Sequence, residues 1–124
     1  MSELSRILII DDEKDVLELA QEILEEEGYT VLSTPDGKAV FELVSSFQPD
    51  LILLDVVLQD TSGLDILRKL KRNKKTRDIK VILFTALGSE VDIMLEKHDK
   101  ADDYILKPFN NKNLKEKIAK QLGE

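Results

Sequence analysis

The chain contains near its start the stretch ILIIDD at residues 7–12, in which four consecutive aliphatic residues are followed by two aspartates. Three further apolar runs have the same design, namely LILLD at 51–55, VILFT at 81–85 and YILK at 104–107. Continuous apolar runs of this length, bounded by polar residues, indicate strands that are buried on both faces. Each of these strands is therefore predicted to end in a polar or charged residue.

Segments with helical periodicity separate these runs. We predict strands at 6–11, 30–34, 51–55, 80–85 and 103–107. We predict helices at 15–27, 37–47, 62–73, 90–99 and 111–122. Regular alternation of strands and helices favours a parallel sheet, because each right-handed crossover between parallel strands requires a helix-length connection.

The strand at 30–34 is more polar than the others and alternates in part, which is typical of an edge strand. The strands at 7–10 and 51–54 are then central, and the expected sheet order is 2-1-3-4-5. This arrangement is an α/β fold, a flavodoxin-like doubly wound sheet of five parallel strands with helices on both faces. We expect residues 1–124 to form this single domain, since 124 residues is an ordinary domain size.

Local signals mark some of the helix ends. Gly28 follows the first helical pattern and is expected to end that helix in a left-handed conformation. Asn110 is expected to cap the last helix. The basic residues within 68–77 are interpreted as a solvated helix end and loop, where positive side chains suit the helix dipole.

The composition excludes several classes of protein. The chain has no cysteine, so disulfides and thiolate metal sites are impossible. The net charge of −7 disfavours direct nucleic-acid binding, which requires a basic surface. No apolar stretch is long enough to cross a membrane and no signal-peptide core is present, so we expect a cytoplasmic protein without membrane contact. No glycine-rich phosphate loop follows the first strand, so no nucleotide cofactor is expected.

The polar residues that end the strands are predicted to meet at one edge of the sheet, because ligands of open parallel sheets bind beyond the carboxyl ends of the strands. These residues are Asp11, Asp12, Asp55, Thr85 and Lys107. Three clustered carboxylates would repel one another without a counter-ion. Mg²⁺ prefers oxygen ligands of this kind and is usually held by one or two carboxylates together with a phosphate.

A carboxylate beside Mg²⁺, a lysine and a hydroxyl can act as a nucleophile toward a phosphoryl donor and form an aspartyl phosphate. Each residue taken alone also has a structural explanation, such as a helix cap for Asp11 or Asp12 and a surface position for Lys107. The joint occurrence of complementary groups at four strand ends favours the phosphoryl site.

Five stretches have the residues and the spacing of a known family, namely IIDDE at 9–13, PDLILLD at 49–55, GLDIL at 63–67, TA at 85–86 and ADDYILKPF at 101–109. In these stretches the chain resembles the receiver domain of two-component response regulators. The resemblance implies a phosphoprotein of phosphorelay signal transduction, and not an enzyme that turns over a separate substrate. It also implies that Asp55 accepts a phosphoryl group from a sensor histidine kinase or a phosphotransfer protein.

The same resemblance implies the ligands of the metal ion. Asp12, Asp55 and the backbone carbonyl of Val57 are expected to bind Mg²⁺. Asp11 is expected to contribute directly or through a water molecule. Mg²⁺ is the one cofactor implied.

The resemblance further implies how a phosphoryl group is held and sensed. Thr85 and Lys107 are expected to contact the phosphoryl oxygens, and the Lys107–Pro108 peptide is expected to be cis. Tyr104 is expected to be an aromatic switch that turns inward when the Thr85 hydroxyl moves.

The resemblance places the surface that responds to phosphorylation on 90–99, 104–106 and 112–122. The last of these segments carries four lysines, for which helix solubility is the simpler explanation and an acidic partner surface the alternative: Lys112, Lys115, Lys117 and Lys120. The output partner is either a separate protein or a covalently linked effector domain. A monomer or a phosphorylation-dependent dimer is expected.

Two other functions remain as alternatives. One is a Mg²⁺-dependent phosphatase with an aspartyl-phosphate intermediate. The haloacid-dehalogenase-like members of that class usually carry a carboxylate two positions after the nucleophile, and Val57 occupies that position here. The other is a phosphate-independent docking domain, which would normally have lost one of the key residues.

Overall fold

The computed structural model describes residues 5–86 and 101–124. The strands are β1 (Arg6–Ile10), β2 (Thr30–Thr34), β3 (Leu51–Leu54), β4 (Lys80–Thr85) and β5 (Asp103–Leu106). The helices are α1 (Lys14–Glu26), α2 (Val40–Phe47), α3 (Gly63–Arg72) and a C-terminal helix (Asn111–Gln121). A 3₁₀ turn (Gly37–Ala39) leads into α2. The helix predicted at 90–99 lies outside the described residues.

The five strands pair in parallel in the order β2-β1-β3-β4-β5. The predicted α/β fold and its sheet order are therefore confirmed. The register pairs Ile10 of β1 with Leu54 of β3, and Thr85 of β4 with Leu106 of β5. Because the strands run in the same direction, the residues that follow β1, β3 and β5 emerge at the same edge of the sheet.

The sheet separates two apolar clusters, since successive side chains of a strand point to opposite faces. Ile7 and Ile9 pack with residues of α1 and the C-terminal helix. Leu8 and Ile10 pack with residues of α2 and α3. All four side chains are fully buried, which explains why the run is apolar at every position and does not alternate.

The predicted helix ends are confirmed. Gly28 has a φ of 97°, and the Asn110 side chain accepts a hydrogen bond of 2.7 Å from the Asn113 N–H. Within the described residues, no helix has the length and apolar character needed to cross a bilayer.

The interpretation of 68–77 as a solvated helix end is wrong for Lys71. Its ammonium group donates to the carbonyls of Arg77 and Ile79 and forms an ion pair of 2.9 Å with Asp102. The same Asp102 oxygen accepts the Val81 N–H at 2.8 Å. Lys71 therefore joins α3 to the loop before β4 and to the segment before β5.

Gly63 holds the loop after β3 against the start of α3. Its N–H donates a hydrogen bond of 2.9 Å to the Val56 carbonyl. A Cβ atom at this position would overlap with the Asp55 carbonyl oxygen and lie 2.8 Å from the Val56 Cα atom. Both neighbours are backbone atoms, so a side-chain rotation cannot relieve the overlap.

We therefore predict that Gly63→Ala destabilises the fold by about 1–3 kcal/mol, the usual cost of overpacking. Urea denaturation measures this difference. Ser45→Ala, at an exposed position of α2, is the control and should change the free energy of unfolding by less than about 0.5 kcal/mol. An unfolding midpoint of Gly63→Ala equal to that of the unmodified protein would contradict the steric account.

Candidate functional site

Three aspartates converge where β1 and β3 end. Asp11 and Asp12 follow β1, and Asp55 follows β3. Asp11 is fully buried, Asp55 is buried and Asp12 is half-buried. One carboxylate oxygen of each residue lies within 4.8 Å of the others. The structure thus brings together the three carboxylates that the sequence placed at this edge.

Asp11 is anchored by its own backbone and by the start of α1. Its N–H donates to the Thr34 carbonyl of β2 at 3.3 Å, and its Oδ1 accepts the Glu13 N–H at 2.9 Å. The other oxygen, Oδ2, is buried and accepts no hydrogen bond of regular geometry within 5–86 and 101–124. Lys107 Nζ lies 2.5 Å from this oxygen as an ion-pair partner.

Both oxygens of Asp55 are held by named donors. Oδ1 accepts the Val57 N–H at 3.1 Å, and Oδ2 accepts Lys107 Nζ at 3.1 Å. The Asp55 backbone N–H donates to the Ile10 carbonyl at 2.9 Å, which fixes the residue to the end of β1. These contacts define the orientation of the carboxylate.

Lys107 is the cation at the centre of the site. Its side chain is only 12% exposed and contacts Asp11, Asp55 and, at 3.4 Å, Glu13 Oε1. Its ammonium group also lies 5.1 Å from the centre of the Phe84 ring. The following peptide bond to Pro108 is cis, as predicted.

The close charges shift the ionisation of the site. Burial raises the pKa of the Asp55 carboxyl above its ordinary value, and the Asp11 charge raises it further, whereas Lys107 and the Val57 N–H lower it. Burial lowers the pKa of Lys107, but the adjacent Asp11 and Asp55 carboxylates outweigh burial and raise it. The folded-state pKa of Asp55 lies above 3.8, the ordinary value for an aspartate. The protonated carboxyl group therefore contributes its full share of stability at pH values below 3.8. This contribution is lost as the pH rises through the folded-state pKa.

The other predicted site residues lie on β4, β5 and the loop after β3. Thr85 ends β4, is 1% exposed, and accepts the Lys107 N–H at its carbonyl at 2.9 Å. Val57 is exposed and forms an isolated bridge with Ser62. Tyr104 lies farther back on β5, half-buried and packed against the apolar cluster of α2 and α3.

Two charged residues beside these positions have contacts that were not predicted from the sequence. Glu13 reaches Lys107, and its place in the stretch IIDDE was the available signal. Lys117 was grouped with the solvated lysines of the last helix. Its ammonium group instead donates to the Tyr104 carbonyl at 2.8 Å and pairs with Asp103 at 3.0 Å.

The residues at this edge fit a hard divalent cation. The three carboxylates offer the oxygen ligands that Mg²⁺ prefers. Asp11 Oδ2 is a buried oxygen that lacks a regular hydrogen bond within the described part of the chain. One ammonium group, Lys107 Nζ, contacts two of the three carboxylates, so a divalent cation would offset the remaining negative charge of the cluster.

Comparison with known proteins assigns this arrangement to a family. The family model described as "Response regulator receiver domain" matches residues 7–119. The chain belongs to the response regulator receiver domain family. The carboxylate cluster of this receiver domain is accordingly compatible with Mg²⁺ binding and with an aspartyl phosphate.

Curated and solved relatives agree with this assignment. The receiver domain is 38% identical over 115 residues to the transcriptional regulatory protein CpxR of Escherichia coli K12, covering 93% of this chain and 48% of CpxR. It thus spans about half the length of this curated relative.

The solved structures are similar over most of their length. A CheY-like response regulator receiver domain protein of Methanospirillum hungatei has a TM-score of 0.88 at 33% identity, covering 98% of this chain and 95% of that one. The response regulator TrrA of Thermotoga maritima, in complex with Mg²⁺ and BeF, has a TM-score of 0.83 at 37% identity. That comparison covers 95% of this chain and 99% of TrrA.

We predict that Lys107→Ala raises the pKa of Asp55 further, because Lys107 supplies the charge and the hydrogen bond that lower it. A carboxyl ¹³C NMR titration in magnesium-free buffer measures the change. Lys112→Ala is the control, since that side chain is 85% exposed on the C-terminal helix and should leave Asp55 unaltered. An unchanged or lower pKa in Lys107→Ala would show that Lys107 does not stabilise the Asp55 carboxylate.

Proposed function

We propose that this receiver domain accepts a phosphoryl group on Asp55 from a phosphohistidine of a sensor histidine kinase or a phosphotransfer protein. The observation that carries the proposal is the contact of one ammonium group, Lys107 Nζ, with the carboxylates of both Asp11 and Asp55. An anionic nucleophile and an anionic phosphoryl group repel each other, so their reaction requires fixed positive charge. Lys107 supplies such a charge at the carboxylate.

In the proposed reaction an oxygen of the Asp55 carboxylate forms a bond to phosphorus. The bond between phosphorus and the donor nitrogen breaks, and its electron pair stays on the imidazole, which takes a proton from solvent. No base is required, because the ionised carboxylate carries no proton. The hydrogen bonds from Lys107 and the Val57 N–H orient the nucleophile before the donor arrives.

We assign the metal site to Asp11, Asp12, Asp55 and the backbone carbonyl of Val57. The mutual approach of the three carboxylates supports this assignment. When bound, Mg²⁺ offsets the negative charge of the carboxylates and of the phosphoryl oxygens. The complex of TrrA with Mg²⁺ and BeF supports the proposal by similarity.

Thr85 and Lys107 are proposed to contact the phosphoryl oxygens, and Tyr104 to move in response to Thr85. The position of Thr85 at the end of β4, hydrogen-bonded through its carbonyl to the Lys107 N–H, supports a shared role at the site. The responding surface is proposed to include β5 and the C-terminal helix together with 90–99, which lies outside the described residues. Phosphorylation can bias such a surface because it adds charge at one point.

The remaining expectations are also proposals for this chain. Residues 1–124 are proposed to form one receiver domain of the cytoplasm that signals and does not turn over a separate substrate. Its output element is a separate protein or a linked effector domain, and its assembly state is a monomer or a phosphorylation-dependent dimer. The net charge of −7 supports the absence of direct nucleic-acid binding.

Intact-mass analysis after incubation with acetyl phosphate and Mg²⁺ tests the proposal. We predict that the unmodified protein gains one phosphoryl group and that Asp55→Asn gains none, because an amide is a poor nucleophile. A chelator should prevent the gain. Asp65→Asn, at a half-exposed position of α3, is the matched control and should behave like the unmodified protein.

Two results would contradict the proposal. Equal phosphorylation of Asp55→Asn would place the acceptor elsewhere. No phosphorylation by acetyl phosphate or by any histidine kinase tested would favour a phosphate-independent docking domain.

A further inference from the structure

The loop that connects β3 to α3 contacts the start of α2 through one carboxylate. Asp60 Oδ1 accepts the Gly37 N–H at 3.1 Å, and Asp60 Oδ2 accepts the Lys38 N–H at 3.0 Å. Both oxygens of Asp60 thus bind consecutive backbone donors that lie 23 and 22 residues away in sequence.

These donors belong to the 3₁₀ turn that leads into α2, and the nearest residue in sequence does not cap them. Asp36 occupies the N-cap position of the turn, where an aspartate commonly accepts such N–H groups. Its side chain makes no capping hydrogen bond. Asp60 therefore performs the capping from a different loop.

Gly37 allows this loop to approach closely. A Cβ atom on Gly37 would lie 2.9 Å from Leu58 Cδ1 and 3.1 Å from Asp60 Oδ1, and would overlap with the Thr61 side chain. Gly37 does not have a positive φ, so glycine is required here for space and not for backbone conformation. The β3–α3 loop therefore packs directly on the start of α2. We call this contact, formed by Asp60 with Gly37 and Lys38, the seam.

The same loop carries Val57, which is held by contacts with both ends of the loop. The Val57 N–H donates to Asp55 Oδ1, and Val57 bridges to Ser62, next to the close-packed Gly63. These contacts are all internal to the loop and its two ends. The seam at Asp60 is a contact of the loop tip with a separate part of the fold.

We propose that Asp60 is a positioning residue that fixes the Val57 carbonyl in the orientation required for Mg²⁺. This inference rests on the proposed function, because it assumes that the Val57 carbonyl is a metal ligand. Groups that orient metal ligands without binding the metal themselves increase the affinity for the ion. They do so because the ligands are then already held in the orientation that binding requires.

The ionisation of Asp60 agrees with this role. The Lys38 N–H lowers the pKa of the Asp60 carboxyl, and the Gly37 N–H also lowers it. Both donors thus stabilise the ionised carboxylate, in which each oxygen accepts one of the two hydrogen bonds.

The test compares four variants by ¹H–¹⁵N NMR titration with MgCl₂ at physiological ionic strength. Asp60→Ala removes both hydrogen bonds, and Gly37→Ala separates the same surfaces by steric contact. Asp60→Asn retains one acceptor oxygen. Asp36→Ala is the matched control, because it removes the same charge near the same backbone donors without removing a cap.

We expect Asp60→Ala and Gly37→Ala to weaken Mg²⁺ binding by about tenfold, at the low end of the usual effect for groups that orient metal ligands. The Mg²⁺ affinity of Asp60→Asn should lie between the affinities of these two variants and that of the unmodified protein. Asp36→Ala should change the affinity by less than about twofold, because the field of an exposed charge is screened at this ionic strength. Spectra without Mg²⁺ should show a shifted Val57 amide signal in both Asp60→Ala and Gly37→Ala. Asp60→Ala should also show faster exchange of the Gly37 and Lys38 amides, and Asp36→Ala should show neither change.

Equal Mg²⁺ affinities of Asp60→Ala and Asp36→Ala would overturn the inference. An unshifted Val57 amide signal in the magnesium-free spectrum of Asp60→Ala would also overturn it, since the conformation of the loop would then not depend on the seam. If the unmodified protein binds no Mg²⁺, the proposed metal site fails. The magnesium-free spectra then decide independently whether Asp60 holds the loop.

Discussion

The close approach of two buried carboxylates, Asp11 and Asp55, is the constraint on which the site depends. Like charges in a buried environment are costly unless a cation compensates them. Lys107 provides that cation at 2.5 and 3.1 Å, and the cis peptide to Pro108 follows it directly. The carboxylates come from β1 and β3, and the ammonium group follows β5, so the ion pairs connect three strands. The Asp55 carboxylate is thereby kept beside a fixed positive charge.

The fold makes this arrangement possible at its edge. The register pairs the last residues of β1 and β3, so Asp11 and Asp55 emerge side by side. Apolar residues fill both faces of these strands, which leaves the carboxyl end of the sheet as the place for polar groups. Gly63 and Asp60 then set the course of the loop after β3, one by close packing at its end and the other by capping the turn before α2. The buried strand β3, the Asp55 carboxylate and the loop that follows are thus consecutive in sequence and held by contacts with β1, α3 and the turn before α2.

Features with a local signature could be predicted from the sequence. The apolar runs predicted the strands and their common edge, and the motif residues predicted the cluster of Asp11, Asp12 and Asp55. Contacts between distant charged residues could not be predicted in this way, because a charge pattern does not identify its partner. Lys71 and Lys117 each fit a solvated helix face by periodicity, yet both turn toward the segments before and within β5. The rule for helix caps likewise favours Asp36, whereas the carboxylate of Asp60 arrives from another loop.

The most direct test of the account is a crystal structure of the protein with Mg²⁺ and beryllofluoride, a mimic of the phosphoryl group. The account predicts beryllium bonded to an Asp55 carboxylate oxygen, with the Lys107 ammonium group on a fluoride. It also predicts a Mg²⁺ ion about 2.0–2.1 Å from oxygens of Asp12, Asp55 and the Val57 carbonyl. Beryllofluoride on a different residue, or a metal ion away from these carboxylates, would contradict the central claim that the edge of β1, β3 and β5 is a phosphoryl-accepting site.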